Sequence, residues 1–292
     1  MNNKYPPNIN EKKTYLRLLS SIRNLPSIPI VIFEVSKLLN NPKTSASDLG
    51  KMISQDQGMV AKILTVANSP LYGLPRRVST IEFAIVILGF EHIKNIVIAL
   101  SMIEAFKKET GKNWDSKSYW NHSIMTASAA KKIADDLNYP KSGEAFTAGL
   151  LHDLGISITQ RYFNMEFKAI CDLVDKEQMR YLKAEEKILG LTHQEIGKFL
   201  ISRWNLPEFL GDAIYHHHCP SKSEESKVLS SIVHLADYMT QKFGVGCFYW
   251  DENIELDENI IQILNFGNES NLNKFIANYE EPFKNQIETT IF

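Results

Sequence analysis

Along most of this chain apolar residues recur every three or four positions, and the strict alternation of half-buried strands is scarce. Val60, Ile63, Leu64 and Ala67 fall at i, i+3, i+4 and i+7, one stripe of an amphipathic helix. Ser45, followed three residues later by Asp48 and flanked by Leu49 and Met52, has the form of a capping box and predicts a helix start. Pro42, Pro70, Pro75, Pro140 and Pro207 lie between periodic segments, where proline ends or begins helices. Asn68 to Arg77 holds three breakers and predicts a loop. The pattern predicts an all-α protein of about twelve to fourteen helices. Cys247-Phe-Tyr-Trp250 is the one run that could be extended.

The polar stretch Lys107 to Tyr119 reads as a hinge between two helical halves. It divides the chain into an N-terminal extension with a helix (1–24), an N-terminal helical subdomain (25–110), a second helical subdomain rich in His and Asp (111–245), and a C-terminal helical extension (246–292). The most apolar region, Phe83 to Phe106, is interrupted by Glu91, His92, Lys94 and Asn95, so its uncharged runs fall short of the ~18 residues that span a bilayer. It reads as a buried helix pair.

Composition narrows the class. With 44% hydrophobic and 23% charged residues, the chain is too apolar for disorder. Its 32 basic and 34 acidic side chains give a net charge of −2, which offers no global argument for binding nucleic acid or an anionic membrane. Cys171, Cys219 and Cys247 are odd in number and widely spaced. With no apolar signal core in the first residues, they point to a reducing, cytoplasmic setting.

The chemistry gathers in the C-terminal two-thirds. Leu150-Leu151-His152-Asp153-Leu154-Gly155 places His and Asp side by side, read as consecutive positions of one helix about 100° apart. Gly155 would admit another helix or a ligand. An isolated His-Asp pair is weak evidence, but it has company. His122 lies upstream; His193, then His216-His217-His218, then Asp237 lie downstream, each in a helical segment that otherwise reads as core. Imidazoles and carboxylates in this mix suit iron, manganese, nickel or zinc better than calcium, as one ion or as a pair.

In this order the residues resemble the HD superfamily of metal-dependent phosphohydrolases, and more narrowly its HDOD (HD-related output domain) branch. The narrower likeness rests on Leu25-Pro-Ser-Ile-Pro29, Ile53-Ser-Gln-Asp56, Leu64-Thr-Val-Ala-Asn-Ser69, Tyr72-Gly73 and Ala84-Ile-Val-Ile-Leu-Gly89. The resemblance implies an HD-type all-helical fold with an N-terminal helical subdomain packed against it, in bacterial signalling proteins often without demonstrated catalysis. It implies metal ligands at His122, His152, Asp153, His193, His217, His218 and Asp237, with His216 an extra. It also implies a protein partner in a signalling pathway and a nucleotide or phosphate-containing ligand.

Two departures bear on activity. Related HD-GYP phosphodiesterases carry a Lys just after the HD-x-Gly motif, where this chain has Ile156, and a Gly-Tyr-Pro element where it has Ser221-Lys-Ser-Glu-Glu. The metal set is complete while the phosphate-gripping parts are missing. A regulatory module with a metal site is therefore favoured over an active metal-dependent phosphohydrolase, and both over a bare scaffold; no catalytic residue is assigned. His92 and His234 read as structural, Arg76 and Arg77 as a solvated loop, Asn68 and Tyr72 as turn and packing residues, and Cys219 as no ligand.

Overall fold

A computed structural model of the chain describes residues 19–20, 44–74, 76–106, 114–244 and 255–287. The Leu25–Pro29 signature, the Cys247–Trp250 run, most of the 1–24 extension and positions 107–113 of the expected hinge lie outside these residues. Among them no strand occurs; the architecture is all-α.

Fifteen α-helices are described, slightly more than the pattern predicts. The N-terminal ones are α1 (Ala46–Ile53), α2 (Gln57–Ala67), α3 (Ile81–Leu88) and α4 (Phe90–Phe106), with a 3-10 turn at Pro70–Tyr72. The site-bearing set is α5 (Ser116–Asp136), α6 (Ser142–Leu151), α7 (Leu154–Tyr162), α8 (Asn164–Glu177), α9 (Tyr181–Leu189), α10 (His193–Arg203), α11 (Glu208–His216) and α12 (Lys227–Lys242). Three short helices close the described chain: α13 (Ile260–Ile263), α14 (Glu269–Ala277) and α15 (Glu280–Ile287).

Local signals set the boundaries. The Ser45/Asp48 capping box forms at the start of α1, each side chain satisfying a backbone N–H of the other. Asp56 caps α2 by accepting from Met59 N–H. A contiguous apolar core runs from Leu19 to Phe283. Helix α5 is its axis, packing on α6 and α12, while α4 packs on α6 and so brings the N-terminal helices to the rest. Gly149 makes the α5–α6 contact close: a β-carbon there would sit 2.9 Å from the Ala127 α-carbon.

One expectation needs correction. The apolar pair α3–α4 is not buried throughout, because Phe83 (37%), Val86 (70%) and Ile87 (45%) are exposed on α3. Ile81, Ala84 and Ile85 occupy the opposite, buried side.

Candidate metal centre

The name-giving pair is not on one helix. α6 ends at Leu151, His152 is its C-cap, and Asp153 is the residue before α7 begins at Leu154. The turn between two helices, rather than the 100° step within one, aims both side chains inward. Tyr119 on α5 donates its hydroxyl hydrogen to the Asp153 carbonyl oxygen at 3.1 Å and holds that turn.

His122 comes from the middle of α5 and Asp237 from α12. His193 is the first residue of α10, whose start is fixed by a capping box between Thr192 and Glu195. His217 and His218 follow the C-terminus of α11. Gly155 lets these parts meet: a β-carbon there would lie 2.1 Å from the His193 carbonyl oxygen, so α7 accepts the α10 N-terminus only with glycine at that position.

All seven side chains converge, in two groups around Asp153. On one side His122 and His152 bring their Nε2 atoms within 3.2 Å of each other. Asp153 Oδ2 lies 3.6 and 3.3 Å from them, and Asp237 Oδ1 lies 3.3 and 3.7 Å away. On the other side Asp153 Oδ1 is 3.4 Å from His193 Nε2 and 3.6 Å from His217 Nε2. His193 Nε2 is also 3.4 Å from His217 Nε2 and 3.2 Å from His218 Nε2. Asp153 thus turns one carboxylate oxygen to each group.

The imidazoles are held from behind. His152 Nδ1 donates to Gly149 O at 2.7 Å and His217 Nδ1 to Ile214 O at 2.6 Å. His193 Nδ1 donates to Glu185 Oε2 at 2.8 Å. Each fixed Nδ1–H leaves Nε2 to face the cluster. His234 has a supporting part, as expected: it donates from Nδ1 to His217 O at 2.7 Å and accepts at Nε2 from Asp257 N–H at 2.9 Å. His216 stands outside the cluster beside Asp212, and Cys219 is exposed.

Glu185 escaped the sequence reading. It is fully buried on α9, and its position was signalled by the apolar stripe Tyr181, Ala184, Ile188 and Leu189, into which it falls as a lone charge. Burial raises its pKa, against the pull of His193.

The electrostatics follow from burial. Desolvation alone would depress His152, but Asp153 and Asp237 outweigh it and hold its pKa well above the usual value. His193 is likewise raised, burial opposing and Glu185 and Asp153 prevailing. Burial, with His218 beside it, pushes His217 well below the ordinary range, and His218 is pushed down to about 3 by burial and His193. Desolvation acts against ionised Asp153 and Asp237, yet the surrounding histidines, His152 foremost, hold both low.

A metal fits this donor set. Bonds of about 2.0–2.2 Å to each donor put neighbouring donors about 2.8–3.6 Å apart, close to the 3.2–3.7 Å found within each group. Both carboxylate oxygens of Asp237 are buried without a hydrogen-bond partner. Two carboxylates sealed from water need positive charge beside them, which the raised imidazoles of His152 and His193 supply in part and a bound cation would supply in their place. The buried His/Asp cluster could therefore hold a metal ion.

The relatives agree with the fold. The HDOD domain family model matches residues 25–220, and the chain belongs to that family. An uncharacterised protein of Treponema pallidum (strain Nichols) is 28% identical over 248 residues, 82% of this chain. The chain spans about half of that relative, 47% of its length. The crystal structure of an HDOD domain protein of unknown function from Geobacter sulfurreducens superposes with a TM-score of 0.70 at 26% identity, covering 94% of this chain and 98% of that one. A protein from Shewanella amazonensis, provisionally named a phosphohydrolase, shares the fold with a TM-score of 0.69 at 22% identity, over 93% of this chain and 97% of that one.

Proposed function

We propose that this chain is a signalling or regulatory HDOD module whose His/Asp cluster holds one or two divalent ions (iron, manganese, nickel or zinc) as a structural or ligand-sensing centre. The ligands are His122, His152, Asp153 and Asp237 on one side and Asp153, His193, His217 and His218 on the other. Bound there, a divalent ion would neutralise buried carboxylate charge and could lower the pKa of a water.

The observation carrying the regulatory reading is closure. His122, His152, Asp153, His193, His217 and Asp237 are each at most 1% exposed, and only His218 is partly open to solvent. Hydrolysis would need a phosphate ester beside the ions and a cation to take up developing charge. Ile156, fully buried, stands where relatives place the lysine. The apolar stripe Phe83, Val86 and Ile87 on α3 supports the protein-partner part of the proposal. The odd number and wide spacing of Cys171, Cys219 and Cys247, with no CxxC pair, support a reducing, cytoplasmic setting.

A second reading, a metal-dependent phosphohydrolase, is favoured by one feature: Asp153 faces both groups at once, the placement of a bridging carboxylate in two-metal sites. The two readings part in one assay. Wild type and Asp153→Ala, each loaded with iron, manganese or zinc, are compared over cyclic dinucleotides, nucleotides and phosphomonoesters. The regulatory reading expects no turnover in either and metal binding lost only in the variant. Robust turnover abolished by Asp153→Ala would overturn it.

A further inference from the structure

Arg76 and Arg77, which the sequence suggests to be a solvated pair, line a cleft of about 910 Å³ on the N-terminal helices. Its other walls include Leu64 and Thr65 on α2, and Leu74 and Ser79 on the following loop. None of these elements supplies a residue of the His/Asp cluster. Arg76 and Arg77 are both exposed and both line the cleft, and among the described residues neither makes an ion pair.

The strap that carries them is anchored. Asn68, at the C-terminus of α2, accepts from Val78 N–H at 2.7 Å and donates to Val78 O at 2.8 Å and Leu64 O at 2.7 Å. Val78 is the residue directly after the arginines, so they hang on a fixed point. The turn beneath is held by backbone hydrogen bonds from Tyr72 N–H to Ser69 O and from Gly73 N–H to Pro70 O, both 3.0 Å. Gly73 takes φ of +58°, which favours glycine, and a β-carbon there would meet no atom within 4 Å. Helix α15 packs against the Pro70–Tyr72 turn.

We infer that this cleft binds a small organic phosphate of nucleotide size, with the phosphates on Arg76 and Arg77 and the organic part against Leu64 and Leu74. A guanidinium group matches phosphate oxygens in a bidentate fork, and two arginines line this cleft. The volume lies in the ~300–1,000 Å³ range of small-molecule sites, and an anchored loop reduces the ordering cost of binding. The proposal is independent of the metal centre, and the two can fail separately.

The test is equilibrium binding of a fluorescent N-methylanthraniloyl nucleoside triphosphate to the full chain. ATP, adenosine, pyrophosphate and a single-stranded oligonucleotide serve as competitors. Expected are saturable binding, a loss of about tenfold or more for each of Arg76→Ala and Arg77→Ala, and ATP competing better than pyrophosphate or adenosine. Circular dichroism verifies that the variants, changed only at exposed side chains, remain folded. Binding should persist in Asp153→Ala or, should that variant unfold, in chelated wild type. No saturable binding at millimolar probe, or binding unchanged in the double arginine variant, would overturn the proposal. So would loss of binding on metal removal, which would move the ligand to the His/Asp cluster, or an oligonucleotide that outcompetes ATP.

Discussion

Glu185 Oε2 accepts two hydrogens from His193, the backbone N–H at 3.0 Å and Nδ1–H at 2.8 Å. One carboxylate oxygen thereby fixes both where α10 begins and which nitrogen His193 turns toward the cluster. Glu185→Ala should remove that control and weaken metal binding about 10- to 100-fold, the usual effect of losing a partner behind a ligand. Glu185→Gln, which keeps an acceptor oxygen, should recover most of it. The measurement is competitive metal titration against a chromophoric chelator; equal affinity in wild type and Glu185→Ala would contradict this role.

Gly155 sets the distance between α7 and α10. A methyl group there has no room beside the His193 carbonyl, so Gly155→Ala must push the α10 N-terminus outward. Overpacking of this kind costs about 1–3 kcal/mol. Urea denaturation should show that loss, together with weaker metal binding through the displaced His193. A variant as stable as wild type would show that the contact can relax freely.

The cluster should exchange protons for metal. Without an ion, the raised pKa values of His152 and His193 keep a second proton on them to higher pH than on a free imidazole, whereas His217 and His218 are depressed and stay neutral. A ligating imidazole must give up the Nε2 proton, so metal uptake at pH 7 should release protons, and affinity should rise with pH. Calorimetric titration in buffers of different ionisation enthalpy reads the number released; a heat independent of buffer would contradict the assignment.

How much of this was legible in the sequence varies by element. The α1 capping box and the order His122, His152-Asp153, His193, His217-His218, Asp237 could be read directly, because local spacing encodes them. The bend between Leu151 and Leu154 could not: no Gly or Pro marks it, and packing around Tyr119 and Gly155 decides it. The exposed face of α3 was hidden for a different reason. Ile81-Glu-Phe-Ala-Ile-Val-Ile-Leu88 has almost no polar side, so its pattern does not say which face is left uncovered. Glu185 left a usable signal, a carboxylate at a buried position of an amphipathic stripe, and Thr192-x-x-Glu195 marked the start of α10.

Removing metal should also loosen the fold. An ion bound only by the native state stabilises it by mass action, about 2.7 kcal/mol at 100 times the dissociation constant. The melting temperature should fall on chelation and return on adding back zinc or manganese. An unchanged melting temperature, with metal loss verified, would mean that the cluster does not brace α5, α6, α10 and α12.

The most direct test of a metal centre built on Asp153 is elemental analysis of protein purified without added metal, wild type beside Asp153→Ala, with circular dichroism to verify that both are folded. Expected are one or two equivalents of iron, manganese, nickel or zinc in the wild type and a loss of most of it in the variant. Wild-type protein that holds no stoichiometric metal, even after incubation with all four ions and gel filtration, would contradict the assignment.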